Sequence, residues 1–267
     1  MFSQLSLRSK VILSSSAAVI VVAGLVLISA VVLRHSSSRT GTPVVRPTSA
    51  TPTAALSASP TLNASQSAGV ASDLQLLAAM APVSAATSTS YPALAGPTIA
   101  QPDLFAHAFA VRLLTQNYQQ PRADLVSWVQ AESASSTEPV VVGLVPENLR
   151  PKLAVYSLTE SSDGSAVPIP SPIVWASLKH RHVYTTVSVQ KVIEPLKWSD
   201  AVAEGELTDP GITEREVDAI VTTHWLQGKA HRTSTQSVAL TMNLEGPPVR
   251  SGYGFVTAVL YNTVKVG

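Results

Sequence analysis

The sequence predicts an α+β protein: helices packed on a curved antiparallel sheet, carried behind a single transmembrane helix and a disordered stalk. Three observations predict it. An apolar run near the N-terminus carries no charge, a Ser/Thr/Ala/Pro-rich stretch follows, and the remainder reads as helices first and alternating strands afterwards. Grouping helices before strands suits an α+β layout; a doubly wound parallel sheet would interleave them.

Composition agrees with a chain of unlike parts. Of 267 residues, 13% are charged and 5% aromatic, against roughly 25% charged in ordinary soluble domains. Residues 1–100 hold five Lys/Arg and one acid, and residues 101–267 hold 13 basic and 16 acidic residues. The low charge therefore belongs to the N-terminal part. With no cysteine, disulfides, thiol catalysis, Cys-ligated zinc and iron–sulfur clusters are excluded. A net charge of +1 gives no overall basic field, so direct nucleic-acid contact is not expected.

Residues 1–10 form a short head with Arg8 and Lys10. Residues 11–33 contain no charge and are dominated by Val, Ile, Leu and Ala. About 20 such residues cross a hydrocarbon core as a helix. A cleaved signal peptide has an apolar core of only about 7–15 residues, and the best exit, Ser29-Ala30, follows the bulky Ile28. Arg34, Arg39 and Arg46 after the span balance Arg8 and Lys10 before it, so charge does not set the direction. The short head and the following stalk place the N-terminus inside and the C-terminal domain outside the cytoplasm: a single-pass protein of the cell membrane.

Residues 34–100 are the stalk. Ser, Thr, Ala and Pro cannot bury enough apolar surface to offset chain entropy, and Pro43, Pro47, Pro52 and Pro60 favour extended local geometry. Asn63-Ala64-Ser65 matches a glycosylation acceptor. One island reads as a short helix over 72–81, capped by Ser72. Leu74, Leu77 and Met80 share its face. A lone helix this short is marginal in water, so it needs a surface, either its own domain or a partner; these three are candidate contact residues.

Residues 101–267 form the folded domain. Pro102 opens a helix of about 17 residues with Phe105, Phe109 and Leu113 in step, ended by Pro121. Leu125, Val126, Trp128 and Val129 line a second helix. Val140-Val141-Val142 is strand-like, and 147–158 reads as a third helix with Pro151 near its start. The period then becomes two over 183–192 and 237–244, with β-rich runs at 217–225 and 255–264. Asp209-Pro210-Gly211 and Glu245-Gly246-Pro247-Pro248 supply turns. Long strands with helices across one face would leave a concave pocket.

Candidate chemistry is sparse. On a strand, His180 and His182 would point the same way, as a metal pair requires, with His224 and His231 on neighbouring strands. No carboxylate ligand is fixed by spacing, so surface histidines and no metal are expected. Residues 200–218 hold seven acids in a spacing unlike a calcium loop; they read as a solvated loop. Trp198 and Leu207 add apolar anchors to it, and Trp198 is the aromatic expected to be exposed as a partner contact. Neither G-x-S-x-G nor G-x-x-x-x-G-K-[ST] occurs, so no catalytic residue or cofactor is expected. Two alternatives stay open: a ligand- or peptide-binding sensor, and an extracytoplasmic enzyme using a pocket His/carboxylate pair.

Asp103-Leu104-Phe105-Ala106-His107-Ala108-Phe109-Ala110, then Leu113-Leu114-Thr115 and Tyr118, is similar to the first helix of extracytoplasmic domains in Gram-positive conjugative elements. The 217–225 run, ending Thr222-Thr223-His224-Trp225, is similar to one of their strands. With head, span and stalk, the chain resembles the VirB-eight-like and TcpC-like bitopic components of conjugative type IV secretion systems. The resemblance implies a cystatin-like, nuclear-transport-factor-two-like domain. It also implies a non-enzymatic structural role, with homo-oligomers and other secretion-channel proteins as partners. The linker is longer than in that family, and the 198–211 segment is a Pro/Gly-rich insertion between strands.

Overall fold

The computed structural model describes residues 64–161 and 166–266. It is α+β, with helices packed on a four-stranded antiparallel sheet in the order β1-β2-β3-β4. The strands are β1 Tyr184–Ile193, β2 Ile212–Gln227, β3 Ala230–Glu245 and β4 Gly254–Lys265. Each β-rich run of the sequence therefore becomes a strand, extended at its ends by register with its neighbours. β2 and β3 pair along their full lengths from Ile212↔Glu245 to Gln227↔Ala230. Gly228 sits at φ 64° in the two-residue turn between them, a conformation glycine adopts without steric cost. β1 starts opposite His224 and β4 ends opposite Gln236. The tip of the β2–β3 hairpin thus projects past both neighbours.

Alternate residues of each strand point to opposite faces. One face carries Val217, Leu240, Met242, Leu244 and Phe255 into the main core beneath the helices. α2 (Pro102–Leu114) presents Phe105, Phe109 and Leu113 to it, and α3 (Arg122–Ala131) presents Leu125, Trp128 and Val129. Phe109 is the hub: its ring lies 4.5 Å from Phe255, 5.1 Å from Trp128 and 5.8 Å from Phe105, centroid to centroid. Few aromatics are needed because these four meet at one point.

Four expectations change. α2 stops at Leu114, well before Pro121. Gln116 N–H donates to Thr185 Oγ1 at 2.7 Å, and Thr185 N–H donates to the Gln116 carbonyl at 2.8 Å; these bonds to β1 outcompete a further helical turn. Val140-Val141-Val142 is not a strand but the helical turn α4 (Pro139–Val142), started by Pro139 with Glu138 accepting from Val140 N–H. The third helix splits at Pro151 into a 3-10 segment, Glu147–Lys152, and α5 (Leu153–Thr159), every residue of which is buried. Two helices lie where the sequence shows none: α6 (Pro172–His180), capped by Ser171, and α7 (Leu196–Ala203) between β1 and β2.

The largest correction concerns the stalk. Residues 64–100, expected as disordered apart from a helix over 72–81, pack on the domain. α1 spans Ala64–Ala79, and the strand-free segment after it is pinned at intervals. Lys152 Nζ donates to the Met80 carbonyl at 2.6 Å, Ala86 N–H to Ser127 O at 3.2 Å, Leu94 N–H to Glu132 Oε1 at 2.8 Å and Tyr253 N–H to Ile99 O at 2.8 Å. Tyr91 is buried against Trp128. The composition is poor in apolar residues, but Leu77, Tyr91, Leu94 and Ile99 are placed where the domain receives them. Residues 34–63, with Asn63, and the 11–33 span lie outside the described residues. Among the described residues no helix is long and apolar enough to cross a membrane.

Candidate functional site

The space between helices and sheet, expected as a concave pocket, is filled by the aromatic cluster and its aliphatic neighbours. A cleft of about 350 Å³ opens elsewhere, between the 90–91 turn, the end of α2 and the loop that follows it. Ser90, Tyr91, Val111, Arg112, Thr115, Asn117 and Gln120 line it. Arg112 is its one charge, with no hydrogen-bond or ion-pair partner among the described residues. Burial raises the Tyr91 hydroxyl above the usual phenol range, with Asp124 adding to the rise and Arg112 opposing it. A cation among hydroxyls and amides suits a small anion. No histidine or carboxylate lines the cleft, so the pocket His/carboxylate pair is not assembled there.

A second site is a buried acid pocket where α4, the loop after α7 and the end of β3 meet. Glu138 is satisfied: its Oε2 accepts from Thr208 N–H at 2.7 Å, Asp209 N–H at 2.9 Å and Thr208 Oγ1 at 3.0 Å. Asp209 accepts from Gly211 N–H at 3.0 Å and Ser136 Oγ at 3.2 Å. Glu245 is 0% exposed, and neither carboxylate oxygen has a hydrogen-bond partner among the described residues. Burial first, and the neighbouring Asp209 second, push its carboxyl up to about 7, with Ser136 and Arg250 opposing the rise. Glu214 on β2 is likewise pushed to about 7, by burial and by Glu216 and Glu194, against a hydrogen bond from Asn243 at 3.0 Å. Such groups store protons. Among the described residues no group of three His, Cys, Asp or Glu is placed to hold a metal ion.

The acids of 200–218 do not form one solvated loop. Asp200 lies on α7, Glu204 and Glu206 are exposed beyond it, and Glu214, Glu216 and Asp218 are half-buried on β2. Arg215, with its side chain only 11% exposed, bridges Asp103 of α2 and Glu194.

The histidines do not stand as the strand pair that metal binding would require. His180 ends α6 and His182 turns at φ 51°, so neither stands on a strand. Arg181, between them, lies 6.0 Å above the Trp225 ring. His224 stacks on Tyr184 at 4.6 Å with an interplanar angle of 6°, and its Nε2 lies 3.1 Å from Thr186 Oγ1. His231 is in register with Leu226. Lys179, Lys229 and Arg232 share this end of the sheet, and all but the half-buried His224 are exposed. Sequence reasoning missed the cluster because its members lie some 45 residues apart. The signal was present: neither 179–193 nor 219–244 contains an acid.

The expected partner contacts are occupied within the chain. Trp198 is 5% exposed, not a surface aromatic: α7 turns it onto the far sheet face beside Val141, Ile212 and Val256, with Leu207 packed alongside. Leu77 is 1% exposed, and with Leu74 and Met80 it seats α1 on Val142, Val145, Leu153 and Tyr156. The shared face of Leu74, Leu77 and Met80 therefore meets its own domain. No family model matches the sequence, and neither a curated protein nor a solved structure matches it.

Proposed function

We propose that this chain is a non-enzymatic, single-pass structural component of a conjugative DNA-transfer channel of the type IV secretion kind. Its domain lies outside the cytoplasm and has a nuclear-transport-factor-two-like form, and it acts by self-association and by contacts with other envelope proteins. The observation that carries the reading is the β2–β3 hairpin, which projects beyond β1 and β4 and ends in exposed polar and basic groups. Such an arm offers contact surface without assembling reactive groups. The stretches similar to the secretion proteins fall on α2 and β2, the elements at the centre of the core. Cross-linking in membranes, with identification of the captured proteins, tests the reading. Multimers and envelope partners are expected; a strictly monomeric protein that captures none would refute it.

The cleft beside Arg112 favours a second reading, a sensor of small anions. It predicts that small carboxylates raise the melting temperature of the full chain and that Arg112→Ala removes the effect. Unchanged melting in the wild type would end that reading.

A further inference from the structure

The charges along the sheet are sorted by end. At the hairpin end stand Lys179, Arg181, Lys229 and Arg232 with His180 and His182, all exposed. No carboxylate occurs in residues 179–193, 219–244 or 254–267, the stretches that carry the strands toward this end, nor in 117–120, which packs beside Tyr184 and Lys179. At the other end stand Glu194, Asp200, Glu204 and Glu206, exposed, with the half-buried Asp209, Glu214 and Glu216. The cations there are fewer. Arg215 is held by Asp103 and Glu194, Lys197 stands on α7, and the exposed Arg250 follows the end of β3; Lys191 faces Asp218 in register nearer the middle of the sheet. A 16-residue strand such as β2 rises about 50 Å, several Debye lengths at physiological salt. The two ends therefore present separate fields of opposite sign, although the chain as a whole carries only +1.

We infer that copies of this chain associate head to tail, the basic hairpin end of one against the acidic end of the next. The inference rests on the self-association proposed above and names its surfaces. Complementary fields on one molecule fit a second copy, because each end finds its match on an identical chain. The contact is heterologous: the two surfaces differ, so a dimer leaves one basic and one acidic end free and goes on to a ring or a filament. Exposed residues make the contact, and screening by salt weakens it.

The test uses the full chain in detergent micelles, with mass measured by light scattering at low and high salt. The wild type is expected to form multimers whose dissociation constant rises about tenfold or more between 50 and 500 mM salt. Lys229→Glu with Arg232→Glu reverses the basic end, and Glu204→Lys with Glu206→Lys reverses the acidic end. All four positions are exposed, and unchanged melting temperatures would show that the variants fold. Each variant alone is expected to stay monomeric. Mixed one to one, they are expected to assemble again in strict alternation, since a chain with two acidic ends meets a chain with two basic ends. A chain carrying all four reversals is expected to assemble again. Multimers that ignore both reversals would overturn the inference while leaving self-association standing; no multimers in membranes or micelles would overturn both. Loss confined to the basic-end variant, with wild type binding heparin or anionic vesicles, would overturn it in favour of a polyanion at the hairpin.

Discussion

Glu245 gives the sharpest test of the energetics. It lies fully buried at the end of β3 without a hydrogen-bond partner among the described residues, and its carboxyl is held at about 7 against an ordinary 4.5. Below pH 4.5 the group is protonated folded and unfolded alike, and it contributes nothing. Between 4.5 and 7 the fold keeps a proton that the open chain has released, so stability falls as pH rises. Above 7 both forms are ionised and the loss is complete, at about 3 kcal/mol. Glu245→Gln fills the same space and cannot ionise. It should match the wild type near pH 4 and exceed it by about 3 kcal/mol at pH 8, a rise in melting temperature of roughly 6–12 °C for a domain of this size. Glu214 titrates in the same range but is common to both proteins and cancels. The assay is thermal unfolding of the full chain in micelles at pH 4, 6 and 8. A variant no more stable at pH 8 than at pH 4, relative to wild type, would refute the reasoning; the Glu245 carboxylate would then be satisfied by Ser136 and Arg250, the groups that oppose the rise.

Other outcomes follow from the packing. Leu77→Ala removes the central anchor of α1 and should cost about 2–4 kcal/mol locally, read as faster hydrogen exchange in 67–80 with the sheet core unchanged. Tyr156→Phe deletes the hydroxyl that donates to Asp73 Oδ1 at 2.7 Å and should loosen the same helix by about 1 kcal/mol, by the same measurement. Arg215→Ala removes a side chain that is only 11% exposed together with its bridges to Asp103 and Glu194, both open to water; chemical denaturation should show a loss of about 1–2 kcal/mol. Gly211→Ala drives a methyl into the Glu245 carboxylate and to 2.6 Å from the Gly246 carbonyl oxygen, so the melting temperature should drop by an amount equivalent to about 1–3 kcal/mol.

Periodicity made the sheet legible, because each strand has one face in the core and a period of two survives in its residues. It also found α2 and α3, whose apolar stripes face that sheet. It failed on short helices. In α4 a Val-Val-Val run looks like a strand, but Pro139 and the Glu138 cap decide the local geometry. α7 is hard to see in the sequence because it is short, has Trp198 as its single buried residue, and runs into the acid- and glycine-bearing stretch 204–211. The stalk was misread from 64 onward because composition counts residues and packing depends on where they fall; Leu77 and Tyr91 are few but placed. The acid pocket and the basic end were both hidden for another reason. Glu138, Asp209 and Glu245 come from three separate elements, and Lys179 and Arg181 at the end of α6 lie about 50 residues from Lys229 and Arg232 on the hairpin; packing of α4 in the first case and the pairing of β1 with β2 in the second bring them together.

The docking of residues 64–100 changes how far this domain can reach. With a stalk over 34–100 free to extend, an anchor at 11–33 would allow a span of more than 200 Å, at 3.3–3.6 Å per residue. The described fold begins at Ala64, which leaves 30 residues, 34–63, between the two. No conformation of that stretch exceeds about 110 Å. If 11–33 is the anchor, Ala64 would stay within that radius of the point where the chain leaves it, and a partner would be met no farther out than that radius plus the length of the domain itself.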